Sequence, residues 1–128
     1  MDFKIAAIDH LVLNCSDVHS IAEWYQRALG VEVETYDDSR TALVFGAIRI
    51  RLRPTGADGW ITRRNEAPGS LDVCFETQAP VTAVTAHWES IGVEVVDGPV
   101  QQAGALGRIE SVYTRDPDGN LVEVACYI

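Results

Sequence analysis

Four side chains of this sequence have the types to do chemistry together: His10, Asp72, Glu123 and Arg51. An imidazole with two carboxylates is a donor set of the kind that holds Mn²⁺, Fe²⁺, Mg²⁺ or Ni²⁺ and leaves positions open. Such an ion can take up two neighbouring oxygens of a substrate and act as a Lewis acid. Arg51 admits two readings. Its guanidinium can clamp a substrate carboxylate. It can equally pair with Glu123 and Asp72 in a buried ion network that needs no metal, and a cation at that place repels a divalent ion. Ser111, Tyr113 and Arg53 are further candidates to hydrogen-bond a substrate. Cys74 is expected beside Asp72 as a small buried thiol, and His19 and His87 as surface or helix-packing residues.

What brings such distant residues to one place is an internal repeat. Residues 10–33 lie over residues 72–95 without a gap. His10-Leu-Val-Leu falls on Asp72-Val-Cys-Phe, and Gly30-Val-Glu-Val33 is identical to Gly92-Val-Glu-Val95. A repeat fixes the architecture before any other signal. It makes His10 the counterpart of Asp72. Aligning Ile50-Arg-Leu52 with Val122-Glu-Val124 makes Arg51 the counterpart of Glu123, at an offset ten residues larger that a glycine-containing loop over 98–107 is expected to absorb.

The elements follow from periodicity and punctuation. In the first module, 8–14 reads as a strand and 18–29 as a helix capped by Ser16-Asp17 and ended by Gly30. Strands are expected over 31–35, 41–45 and 48–53. The polar, glycine-containing stretch 54–69 reads as a linker with an ordered turn around Trp60. The second module repeats the order, with a strand over 71–77, a helix opened by Pro80 and ended by Gly92, and strands over 93–96, 108–115 and 120–127. Asp116-Pro-Asp-Gly119 is a strong turn signal. The expected fold is therefore α+β: two tandem βαβββ modules (about 5–54 and 70–128, linker 55–69) in a single domain. Their eight strands would form a mixed sheet curved into a cup, with the helices outside. Period-two alternation points His10, Val12 and Asn14 into the cup, and with them Arg49, Arg51, Arg53, Asp72, Cys74, Ser111, Tyr113 and Glu123.

Composition narrows the partners. The 128 residues carry a net charge of −9, which argues against nucleic acid and against anionic lipid. No apolar run nears the roughly 20 residues that span a bilayer. The three cysteines, without CxxC spacing, read as reduced thiols of a cytoplasmic protein.

Asp9-His10-Leu-Val-Leu, Tyr25-Gln-Arg-Ala-Leu-Gly30 and Tyr113-Thr-Arg-Asp-Pro-Asp-Gly-Asn-Leu-Val-Glu123 together resemble the vicinal oxygen chelate superfamily, which includes glyoxalase I, extradiol dioxygenases and bleomycin-resistance proteins. The short glyoxalase-domain-containing, virulence-associated, dioxygenase-related type is the most similar. The resemblance implies a divalent metal (Mn, Fe, Ni, Mg or Zn) on His10, Asp72 and Glu123, with Glu123 also catalytic. It implies a small oxygenated substrate and a homodimer. Arg51 stands where glyoxalase I has Glu or Gln, which speaks against glyoxalase I activity. A metal-dependent lyase, isomerase or dioxygenase-related enzyme is one expectation. A metal-free small-molecule binding protein of the bleomycin-resistance type is the other.

Overall fold

The computed structural model describes residues 1–128. The first module runs β1 (His10–Cys15), α1 (Val18–Leu29), β2 (Glu32–Tyr36), β3 (Arg40–Phe45) and β4 (Ile48–Pro54). The second runs β5 (Asp72–Glu76), α2 (Val81–Ser90), β6 (Asp97–Ala103), β7 (Arg108–Arg115) and β8 (Leu121–Tyr127). Each module folds one four-stranded mixed sheet, in the orders β1-β4-β3-β2 and β5-β8-β7-β6. The expected α+β architecture of two βαβββ modules is present, and the register carries the repeat. Val12 pairs with Arg51 in the first sheet, and Cys74 pairs with Glu123 at the equivalent place in the second.

Local chemistry sets the helix ends. Asp17 caps α1, its carboxylate accepting from the Ser20 N–H at 3.2 Å, and Gly30 ends the helix in the left-handed region at φ 66°. Ile21, Tyr25 and Ala28 form the buried stripe of α1 and, with Ala22 and Trp24, face the sheet.

Within one chain the eight strands do not join into a continuous cup. The two sheets stay separate, and the modules meet through the faces that carry the helices. Phe45 of β3 stacks on Phe75 of β5 with centroids 4.5 Å apart. The Trp88 indole N–H donates to the Ala28 carbonyl at 3.0 Å, and the Arg27 guanidinium donates to the Ile91 carbonyl. His87 also reaches across the modules, donating to the Arg27 carbonyl at 2.7 Å. One apolar core therefore spans both modules, from Leu13, Ile21 and Leu43 to Trp88, Val112 and Val122. Burying the two helix-bearing faces against each other removes more apolar surface from water than either module could alone. The polar faces of both sheets are left outermost.

Two expectations need correction. Residues 93–96 are not a strand: Val93 and Val95 pack against the core from an irregular segment. The segment 98–107 is not simply a loop, because Asp97–Ala103 is β6, paired antiparallel to β7 with a register shift between Asp97 and Val100. Gly98 permits this approach. Its φ is +95°, and a Cβ there would stand 2.5 Å from the Ser111 carbonyl oxygen. The longer second module is explained by a longer connection after α2, the 104–107 turn and the five-residue turn before β8.

That last turn ties the modules together. Asp116 is buried and accepts from the Tyr25 hydroxyl at 2.8 Å, from the Asn120 side chain at 2.7 Å, and from the backbone N–H groups of Asp118 and Asn120. Asp118 accepts from the Ser16 N–H at the end of β1. The Asp-Pro-Asp-Gly-Asn run is thus a structural knot.

Candidate functional site

The expected site residues fall into two clusters, one on the polar face of each sheet. On the first sheet, strand alternation lifts His10, Arg49, Arg51 and Arg53 from the face opposite α1. The Asp9 carboxylate accepts from His10 Nδ1 at 2.8 Å, which leaves Nε2 with its lone pair free. Arg51 Nη1 donates to that lone pair at 3.2 Å. The same guanidinium lies over the Tyr36 ring, 4.7 Å from its centroid. His10 lowers the pKa of Asp9, chiefly through its hydrogen bond.

Arg53 is placed differently from the expected substrate contact. It is buried, and its guanidinium donates to Asn14 Oδ1 at 3.0 Å, to the Ala57 carbonyl at 2.8 Å and to Glu66 at 3.2 Å. It therefore fastens the linker over one end of this face. Arg40 adds to the tether, donating to the Gly59 carbonyl with its guanidinium 4.1 Å from the Trp60 ring centroid. Arg63 donates to the Val12 carbonyl.

On the second sheet, Glu123 accepts from the Ser111 hydroxyl at 2.6 Å and from the Gln102 side-chain amide at 2.7 Å. Gln102 also donates to the Tyr113 hydroxyl at 2.5 Å. Glu123, Gln102 and Tyr113, with Cys74, Glu76 and Tyr127, border a cavity of about 490 Å³ lined wholly by the second module. Asp72 is exposed on the same face, two residues from Cys74. Cys74 is exposed on the single chain, contrary to the buried thiol expected. Partial burial of its sulfur, then the charge of Glu123 and their hydrogen bond, push its pKa up to about 12. It is a protonated thiol at neutral pH, not a ready nucleophile. Burial raises Tyr113 as well, with Glu123 adding to the effect and the Gln102 hydrogen bond opposing it.

Gln102 went unread in the sequence because glycine and proline punctuate the segment around it. The faint signal was alternation: Val100 and Gln102 share one side of β6.

The family model for the Glyoxalase/Bleomycin resistance protein/Dioxygenase superfamily matches residues 7–124. The chain belongs to this superfamily. It is 40% identical to virulence protein STM3117 of Salmonella typhimurium over 97% of this chain and 86% of that protein. The crystal structure of that protein superposes with a TM-score of 0.94, covering 98% of this chain and 100% of the other. The chain is 37% identical to the glyoxalase domain-containing protein RDO1 of Mycosarcoma maydis, over 97% of this chain and 70% of that protein. An integron cassette protein of V. cholerae has a TM-score of 0.95 at 38% identity, with full coverage of both chains.

For a member of this superfamily the question is whether a divalent ion fits. Within one chain no three His, Cys, Asp or Glu side chains converge to hold one. The His10 lone pair that a metal would need faces a guanidinium, and one oxygen of Glu123 is already held by two donors. The residues as this chain arranges them do not fit the ion.

Proposed function

We propose that two copies of this chain close a small-molecule site, the polar face of the first sheet of one copy lying over that of the second sheet of the other. The observation that carries this reading is the opposite charge of two half-sites that have no hydrogen bond or ion pair between them in one chain. The first face presents Arg51, free of any ion pair, beside His10, while its Arg49 is matched by Glu34. The second presents Asp72, Glu76 and Glu123, with a single cation, Arg115, at the strand end and turned to the Gly119 carbonyl. A twofold pairing satisfies both faces at once and makes two equivalent sites, as isologous symmetry requires. The family supports the small-molecule part of this reading, since its description names glyoxalases, bleomycin-resistance proteins and dioxygenases.

In this site Arg51 and Tyr113 contact the ligand from opposite sides, Ser111 and Gln102 hold Glu123 in place, and Arg53 shapes the rim through the linker. The metal-dependent enzyme form of the reading would place the ion on His10, Asp72 and Glu123. The engagement of His10 by Arg51 favours the metal-free binding form.

Sedimentation of the parent beside Glu123→Arg tests the assembly. A dimer in the parent, weakened by the substitution and restored by mixing with Arg51→Glu, is the expected outcome. A monomer at tens of micromolar rules it out.

A further inference from the structure

We infer that the positive pole of this site is the Arg51 guanidinium itself, in place of a metal ion, and that the ligand it receives carries a carboxylate or a comparable oxyanion. The inference rests on the two-copy reading only for what lies opposite Arg51.

Three arginines share one face of β4, and two of them are neutralised. Arg49 Nε lies 2.8 Å from Glu34, and Arg53 Nη2 lies 3.2 Å from Glu66. Arg51, between them, forms no ion pair. It is nonetheless held in place by two groups without formal charge, the Tyr36 ring and the lone pair of His10 Nε2. A guanidinium has five N–H donors in a planar fork, and only one of them is spent here. The remaining donors can grip an oxyanion with two parallel hydrogen bonds. A fixed, half-buried cation with unused donors is preorganised for an anion, and fixing it in advance lowers the cost of binding.

The acids of the other face do not remove this cation. Glu123 is served by Ser111 and Gln102 from its own sheet, so its charge is stabilised without Arg51. Asp9, the nearest acid to His10, is engaged with the imidazole. The imidazole holds its Nδ1 proton toward Asp9 and so keeps Nε2 an acceptor, which locks Arg51 rather than repelling it. A divalent ion at Nε2 would have to displace a cation already there.

The test uses the full-length protein after chelator treatment. Calorimetric titration with Ni²⁺ and Mn²⁺ is expected to show no micromolar binding in the parent. Arg51→Glu removes the cation and sets a carboxylate beside Nε2. It should gain at least roughly tenfold in affinity for Ni²⁺, and His10→Ala in that background should abolish the gain. In a second arm, pyruvate and inorganic phosphate are titrated with chelator present while the His10 imidazole resonances are followed. A saturable shift with either anion, weakened on the order of tenfold or more in Arg51→Met and partly kept in Arg51→Lys, supports the inference. Which anion saturates identifies the source. Micromolar metal binding by the parent that is lost in His10→Ala overturns it. So does the absence of a shift with both anions, or a shift unchanged in Arg51→Met. A monomer that keeps the Arg51 behaviour sinks the two-copy reading alone. A dimer whose parent binds metal sinks this inference alone.

Discussion

The two sheets are built on one repeated pattern, yet their polar faces have diverged in opposite directions. At the same ladder position the first carries Arg51 beside Val12, and the second carries Glu123 beside Cys74. On the first face the functional group is fixed by an aromatic ring and an imidazole, and one end is covered by the linker. On the second it is fixed by an amide and a hydroxyl, and it opens on a cavity. A duplicated scaffold thus preserves backbone register strictly and leaves each face free to acquire its own charge, because a strand's outward side chains contribute little to the core.

The comparison assumes that the modules fold as one body, and the largest effect tests this. Trp88 is fully buried in the shared core and bonds across to α1. Trp88→Ala should cost about 3–5 kcal/mol and lower a single urea transition read by circular dichroism. Two separate transitions in the parent would break the comparison.

The next effect is alkaline. Burial first, with the Asp118 and Asp116 charges adding, pushes the Cys15 thiol up to about 12 from an ordinary value of 9.0. The folded state keeps this proton while the unfolded state loses it, so stability is fully present below pH 9 and falls as pH rises from 9 toward 12. The slope is roughly 1.4 kcal/mol per pH unit for one such group. Cys15→Ala should flatten the decline in melting temperature over that window; an unchanged decline would assign it elsewhere.

Gln102 separates the faces more finely. Gln102→Ala should cost about 1 kcal/mol in urea denaturation, because Glu123 and the Tyr113 hydroxyl lose a common donor. A neutral result would mean that Ser111 alone holds Glu123.

The smallest effect concerns Cys74. Despite its exposure on the single chain it should react slowly with iodoacetamide at pH 8. Glu123→Gln, which removes the second-largest cause of its raised pKa, should speed the reaction severalfold. Equal rates would deny the two groups their contact.

Much of this was legible in the sequence. The cap at Asp17, the stop at Gly30 and the bounds of α1 and β7 match the expected residues, because each rests on a short-range chemical signal. Alternation also placed Arg51 and Glu123 on polar faces correctly. What could not be read was the side on which the modules meet. That choice is made by the total apolar surface of two helix-bearing faces, with Phe45 on Phe75 and Trp88 under Ala28, and no local pattern encodes it. The identity of Gly92-Val-Glu-Val95 with Gly30-Val-Glu-Val33 misled in the same way. Glu32 and Val33 open β2 in one module, while their counterparts Glu94 and Val95 lie in an irregular segment in the other, because tertiary contacts override local preference.

The contact from Arg63 to the Val12 carbonyl has a further consequence. β1 is an outer strand, and its unpaired carbonyls offer a foreign strand a template on which to add. A charged side chain seated on that border must be dislodged before any such addition, so the protein is guarded against end-to-end sheet growth. Loss of this one arginine should first show itself as turbidity on concentration, with the folded core intact.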